Sequence, residues 1–217
     1  MGRAIVRMCR RHALGLLAGV TLLPLTGRMA WSELSTADAE GVVNDLAAQV
    51  WQVLDRTDLS EQQQIDTLTA LLESKTDVPL LSRLALGRYW NQLDDQQKEQ
   101  YTELFRSVVM RTFARRLNLY AKDARGRLED HFTIASSAPA GKEDILVRSR
   151  VRPASGDALA VDWRVREGAD GPVVIDLIIQ GVSLLVSQRS EFASVIERSN
   201  MDGLLAELRA RAGSTES

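Results

Sequence analysis

The chain has 217 residues, 45% of them hydrophobic, with 27 basic and 29 acidic residues and a formal charge of −2. This balance argues against a nucleic-acid-binding protein, because affinity for nucleic acid comes largely from basic residues that contact phosphates. One Cys and two His exclude an intramolecular disulfide and leave few residues for thiol catalysis or a metal site.

Residues 1–32 have the order of a secretory signal peptide. Four arginines precede an apolar run at 13–25, and Ala30-Trp31-Ser32 offers a small-x-small cleavage site. The run is shorter than the roughly 20 residues that a membrane-spanning helix needs, although a short anchor or a buried helix would also fit. We expect export by the Sec pathway, or by the twin-arginine pathway because Arg10-Arg11 precedes the run.

Cleavage after residue 32 would remove Cys9, His12 and five arginines. The remaining chain would carry 22 basic and 29 acidic residues, a formal charge of −7. A catalytic triad or a His-based metal site would then have to use His131. We expect residues 33–212 to form a single domain and residues 213–217 to be a disordered tail.

The apolar spacing is helical as far as about residue 130. Four helices are predicted, each from a capping residue or a proline suited to a first turn, and they begin near Thr36 or Asp38, Ser60, Pro79 and Asp94. The last of these is the longest. Its apolar stripe consists of Tyr101, Leu104, Phe105, Val108, Val109, Thr112, Phe113, Leu117 and Tyr120.

After Gly126 the apolar period changes to two, which is typical of strands with one solvated face. Four strands are predicted, a weaker first one and three with strict alternation, at 131–137, 145–151, 159–166 and 173–179. Short turns between them favour antiparallel pairing. Two helices follow at about 185–197 and 200–211, with Asn200 as a possible N-cap. This order predicts an α+β fold in which helices pack on one face of a twisted antiparallel sheet.

The sequence contains no phosphate-binding glycine loop, nucleophile elbow or zinc-protease motif. We therefore predict no catalytic residue, no cofactor and no metal, and a protein that is not an enzyme. A cluster at the junction of helices and strands is either a weak metal site or a solvated turn. Its members are Asp123, Glu129, Asp130 and His131.

Two rows of basic residues match none of these functional motifs. They are Arg115-Arg116 and the alternating Arg148, Arg150 and Arg152. Either row could meet lipid phosphate or an acidic partner, but a plain solvated face is the default explanation for both.

Two segments resemble the MlaC-type periplasmic phospholipid-binding proteins, the toluene-tolerance or ABC-transporter auxiliary family. The first is L-G-R-Y-W at 86–90 with the helix after it. The second combines V-D-W-R-V at 161–165, V-I-D-L at 174–177, G-V-S-L at 181–184 and R-S-E-F at 189–192. The resemblance covers about residues 36–210. Trp163 stands where the family usually has Tyr, and Pro172-Val173 replaces a common aromatic residue.

The resemblance implies a monomeric soluble carrier in the periplasm of a Gram-negative bacterium. Such a carrier holds the acyl chains of a phospholipid between sheet and helices, with the headgroup at the surface. It shuttles the lipid between an outer-membrane lipoprotein complex and an inner-membrane ABC transporter with a membrane-anchored subunit, which maintains outer-membrane lipid asymmetry. The alternatives are a hopanoid-associated member of the same family, an adaptor protein with a filled core, and an enzyme that acts on an apolar substrate.

With this resemblance, three groups of residues are predicted to contact the lipid. The inward positions of the sheet are Val147, Val161, Trp163, Leu177, Ile179 and Val182. The helical side adds Trp90, Phe105, Val109, Phe113 and Phe192. Tyr120 and Arg189 are candidates for the mouth, where a hydroxyl or a guanidinium could meet phosphate. An ordinary filled core would explain the apolar residues, and a structural ion pair would explain Arg189.

Overall fold

The computed structural model describes residues 34–121, 126–153 and 157–213, without the side chains of residues 120 and 121. The predicted signal peptide at 1–32 and all but the first residue of the predicted tail lie outside the described residues. Of the described helices, none is both long enough and apolar enough to cross a membrane.

Side-chain caps set where the first four helices begin. Ser35, Ser60, Asp77 and Asp94 each accept a hydrogen bond from the backbone N–H three residues later, and this satisfies a donor that the helix itself leaves unpaired. The predicted capping boxes at Ser60 and Asp94 are confirmed. The helices are α1 (Thr36–Leu54), α2 (Glu61–Ser74), α3 (Val78–Leu86) and α4 (Asp95–Phe105).

The predicted long fourth helix continues through a change of geometry. A π-helical turn at Arg106–Met110 joins α4 to α5 (Arg111–Ala121). The wider turn shifts the apolar stripe, so that Val108, Val109 and Met110 are all buried. A short helix, α6 (Leu128–His131), precedes the sheet.

The sheet is an antiparallel meander of five strands within the described residues, in the order β1-β2-β3-β4-β5. The strands are β1 (Phe132–Ala140), β2 (Asp144–Val151), β3 (Leu159–Gly168), β4 (Gly171–Ile179) and β5 (Val182–Ser183). Two details correct the sequence prediction. His131 ends α6 and does not begin β1, and β5 was not predicted because two residues are too few to show an alternating pattern.

The last described element is α7 (Leu184–Gly213), which is continuous except at Asn200. Asn200 has a positive φ of 57°, and its side-chain Oδ1 accepts a hydrogen bond from the N–H of Gly203 at 3.1 Å. The prediction that Asn200 caps a second C-terminal helix is therefore confirmed. Helix α1 packs against β1 to β4, and α7 packs against α3, α4 and β4, so the helices cover the sheet as the α+β prediction required.

Candidate functional site

An apolar cavity of about 630 Å³ lies between the sheet and the helices. This volume is within the range of about 300–1,000 Å³ that is typical of small-molecule binding sites. One wall is a stripe of α1 at helical spacing, formed by Leu46, Ala47, Val50, Trp51 and Leu54.

The opposite wall is one end of the sheet. Phe132, Val151 and Leu159 form a row across β1, β2 and β3, and Trp163 pairs with Leu177 in a row across β3 and β4. All five side chains line the cavity. The remaining walls come from α2, α3, the helical segment 105–117 and the start of α7, whose lining residues include Leu72, Leu81, Ala85, Phe105, Met110, Phe113, Leu117, Leu184 and Leu185.

The exposed lining residues mark the mouth of the cavity. Leu119 and Val182 are each 58% exposed although they are large and apolar. Arg116 and Arg152 also line the cavity and are exposed. The mouth thus combines exposed apolar side chains with two guanidinium groups, whereas the interior is almost entirely hydrocarbon.

The mouth is braced on one side by His131. Its ring stacks on Trp51 of α1 with centroids 4.8 Å apart, and its Nδ1 lies 2.7 Å from the backbone oxygen of Arg152. The backbone N–H of Arg152 in turn donates to the oxygen of His131 at 2.8 Å. These contacts tie α1, α6 and the end of β2 together around the cavity.

Trp163 is held in place within the cavity wall. Its indole N–H donates to Ser149 Oγ at 2.9 Å, and the Ser149 hydroxyl donates to the backbone oxygen of Val161 at 2.7 Å. The Trp163 ring meets Phe132 edge to face at 6.3 Å. A Trp in place of the usual Tyr therefore leaves no buried donor unpaired.

One carboxylate also lines the cavity, that of Asp176. It is buried, and both of its oxygens are occupied: Oδ2 accepts from the Ser183 hydroxyl at 2.5 Å and Oδ1 from the Leu185 N–H at 3.0 Å. These bonds fix the start of α7, where a negative charge is favourable. The Asp176 carboxylate therefore has a structural role at the edge of the cavity, where it links β4 to β5 and to the start of α7.

Part of the predicted set lines this cavity. The residues that do are Phe105, Phe113, Trp163, Leu177, Ile179 and Val182. The side chain of Tyr120 lies outside the described residues. The structure places the others away from the cavity wall, and these are Trp90, Val109, Val147, Val161, Arg189 and Phe192.

An aromatic cluster explains two of these differences. The buried ring of Tyr101 lies 6.3 Å from Trp90, 6.1 Å from Phe105 and 6.0 Å from Phe192. The Tyr101 hydroxyl donates to the oxygen of Ser82 at 3.1 Å, and burial raises the pKa of this hydroxyl above its ordinary value. Phe192 therefore belongs to the core and the half-buried Trp90 packs against it, and of this cluster only Phe105 reaches the cavity.

Arg189 has a structural position, not the predicted place at the mouth. Its Nε–H donates to the backbone oxygen of Leu84 at 2.9 Å, near the end of α3. Gly87 follows with a positive φ of 57°, and a Cβ there would lie 3.2 Å from Arg189 Cδ. Arg189 thus fastens α7 to the turn after α3 and uses a carbonyl in place of the ion pair considered above.

The sequence prediction missed the α1 stripe, Phe132, Val151 and Leu159. It named Arg116 and Arg152 only as members of two basic rows that could meet lipid phosphate, not as part of the site. The α1 stripe was visible as helical periodicity, but periodicity does not tell which layer a stripe faces. Arg152 continues the alternation of Arg148 and Arg150, yet it stands beyond the end of β2 and turns to the cavity.

No group of three or more His, Cys, Asp or Glu among the described residues is placed to hold a metal ion. Asp123, one member of the acidic cluster considered above, lies outside those residues.

A helix-covered antiparallel meander with a cavity between its layers defines the class of α+β proteins with an internal apolar site. The model of the MlaC protein family matches residues 44–210. This is more than half of the chain, so the protein belongs to the MlaC family, and the family prediction is confirmed. The chain is also similar to the structure of the phospholipid-binding protein from Ralstonia solanacearum, which was solved in complex with a phospholipid. The two share 26% identity with a TM-score of 0.62, over 84% of this chain and 98% of that one.

Proposed function

We propose that this protein is a lipid carrier that holds the acyl chains of one phospholipid in the apolar cavity, with the headgroup at the mouth. The observation that carries the proposal is the cavity itself, about 630 Å³ between α1 and the sheet and open beside Leu119 and Val182. The phospholipid complex of the similar Ralstonia protein supports the same ligand class.

The energetics of lipid transfer fit a site without reactive groups. A phospholipid has about 30 chain methylenes, each worth roughly 0.8 kcal/mol when removed from water, or about 24 kcal/mol in all. This cost prevents the free lipid from crossing an aqueous space. If the cavity is about as apolar as a bilayer, the free energy of the lipid is similar in both. Transfer of the lipid between membrane and carrier then needs no catalytic step. On this proposal the protein is not an enzyme.

The exposed mouth suits a headgroup that stays in contact with water. Burying a charged headgroup in hydrocarbon would be costly, and the described lining offers no free carboxylate, since Asp176 accepts hydrogen bonds from Ser183 and Leu185. An adaptor with a filled core would have no need of a cavity of this size. The cavity therefore favours the carrier over the adaptor.

We further propose that residues 1–32 direct export to the periplasm and that the carrier works there. It would receive and deliver lipid at an outer-membrane lipoprotein complex and an inner-membrane ABC transporter, and so contribute to outer-membrane lipid asymmetry. The basic start, the short apolar run and membership of the MlaC family support this placement.

Loading from vesicles tests the carrier function. The purified protein, freed of lipid by solvent extraction and refolding, is incubated with phospholipid vesicles, separated from them and analysed for lipid per chain. We expect close to one phospholipid per chain, and release of that lipid when the loaded protein meets acceptor vesicles. A refolded protein that takes up no lipid would contradict the proposal.

A further inference from the structure

We propose that the mouth of the cavity selects phospholipids whose headgroup carries a net negative charge, and that Arg116 and Arg152 hold this headgroup. The inference rests on the proposed function and specifies the lipid class. It requires two cations at the mouth that have no partner among the described residues, and a described cavity lining that leaves no carboxylate free.

The two arginines reach the mouth from different parts of the fold. Arg116 lies on α5 and Arg152 directly follows β2, and both line the cavity and are exposed. Neither side chain has a hydrogen-bond or ion-pair partner among the residues that the structure describes. Other arginines are paired, for example Arg111 with Asp66 at 2.7 Å and Arg166 with Asp144 at 2.6 Å.

Asp176 carries the one carboxylate in the described lining of the cavity, and that carboxylate is occupied. Both oxygens of Asp176 accept hydrogen bonds, one from the Ser183 hydroxyl and one from the Leu185 N–H at the start of α7. On α6, Leu128 and His131 line the cavity, whereas Glu129 is not in its wall and pairs with Arg127 at 3.1 Å. The described lining therefore gives a headgroup ammonium only neutral acceptors, such as the amide of Gln188.

The apolar walls bind the chains of any phospholipid alike, so the headgroup decides between lipids with the same chains. Guanidinium groups donate paired hydrogen bonds to phosphate oxygens. Phosphatidylglycerol brings its phosphate charge without a compensating cation. Phosphatidylethanolamine brings the same phosphate with an ammonium group, which the two arginines repel.

Competitive loading tests the inference. Lipid-free protein is incubated with vesicles that contain equal amounts of phosphatidylglycerol and phosphatidylethanolamine with identical chains, and the bound lipids are measured by mass spectrometry. We expect a preference for phosphatidylglycerol of roughly threefold to tenfold, as two exposed charge pairs would give. The preference should shrink in 1 M salt, where the screening length is about 3 Å against about 10 Å at 0.1 M.

The double variant R116Q/R152Q should load the two lipids about equally. The matched control is R148Q/R150Q, which removes two exposed arginines that are not in the cavity wall, and this variant should keep the preference. Equal loading by the unaltered protein would overturn the inference while the carrier function stands. Uptake of neither lipid would overturn both.

A soluble anion is the other source of a phosphate group at this mouth. Inorganic phosphate at millimolar concentration is therefore added as a competitor and titrated into lipid-free protein by calorimetry. We expect no displacement of bound phosphatidylglycerol. Phosphate binding that R116Q/R152Q abolishes, together with equal loading of the two lipids, would assign the arginines to a soluble anion and overturn the inference.

Discussion

Trp163 and Ser149 are joined by a hydrogen bond of 2.9 Å from the indole N–H to the serine Oγ, across strands β2 and β3. Both residues are buried, and the serine hydroxyl in turn donates a hydrogen bond to the backbone oxygen of Val161. This pair orients one of the two Trp side chains in the described cavity wall. The hydrogen bond thus restricts the rotamers of a side chain that lines the cavity.

Replacing Ser149 by Ala should destabilise the protein by about 1–3 kcal/mol, because the Trp163 N–H would be left buried without an acceptor. Urea unfolding measures the change in the free energy of unfolding. Ser136→Ala is the control, since Ser136 is exposed on β1, and it should stay within about 0.5 kcal/mol. Equal unfolding free energies for the two variants would show that the hydrogen bond contributes nothing.

Glutamate substitutions in one row of the sheet separate filled core from cavity wall. Val147, Trp163 and Leu177 are cross-strand neighbours, but Val147 is fully buried while Leu177 is half-buried and lines the cavity. Val147→Glu should prevent folding, because an unpaired buried charge costs several kcal/mol, comparable to the whole stability of a domain. Leu177→Glu should leave a folded protein whose lipid content falls severalfold. Circular dichroism and lipid extraction measure the two effects, and a Leu177→Glu protein that retains full lipid content would contradict the cavity assignment.

Filling the cavity should reduce lipid binding severalfold without loss of structure. Ala47 lies in the α1 wall, so Ala47→Trp would place an indole ring in the space meant for the chains. We expect lipid per chain to fall severalfold in the vesicle-loading experiment and the unfolding temperature of the lipid-free protein to remain the same or rise. Ala70→Trp on the exposed side of α2 is the matched control and should load normally. Normal loading by Ala47→Trp would mean that the lipid binds elsewhere.

The break in α7 depends on the side chain of Asn200. Asn200→Ala removes the cap on Gly203 and places an alanine at a φ of 57°, which should cost about 1–2 kcal/mol. Asn200→Gly should cost only a few tenths of a kcal/mol, since glycine adopts positive φ readily and is a tolerated N-cap. Thermal unfolding of the two variants measures the difference. A glycine variant as unstable as the alanine variant would show that strain at φ 57° plays no part.

Local patterns predicted most of the fold. The capping boxes at Ser60 and Asp94 mark helix starts through bonds between residues three apart, and strict alternation in β2 and β3 marks one buried face. These signals depend on neighbours in sequence. In β4 a register shift pairs Val174 with the buried Val165 and the predicted inward residue Val173 with Arg166. The family motifs added the expectation of a lipid site, which apolar spacing by itself does not contain.

The cavity residues were harder to predict because a side chain that lines a void and one that fills a core have the same pattern. Val147 and Leu177 occupy the same row of the sheet. Whether each is covered by packed side chains or lines the cavity depends on how the helices pack on the sheet. Arg189 shows the same limit, since its bond to the Leu84 oxygen joins residues 105 positions apart. The position of Arg116 and Arg152 at the mouth likewise depends on the tertiary arrangement of α5 and the end of β2, which sequence neighbours do not determine.

The most direct test of the central claim is native mass spectrometry of the purified protein, with identification of the lipid after solvent extraction. We predict a bound diacyl phospholipid in close to one-to-one ratio with the chain, released when the protein is denatured. A hopanoid in place of the phospholipid would change the ligand class. A protein that is purified without lipid and also takes up none from vesicles would contradict the carrier function.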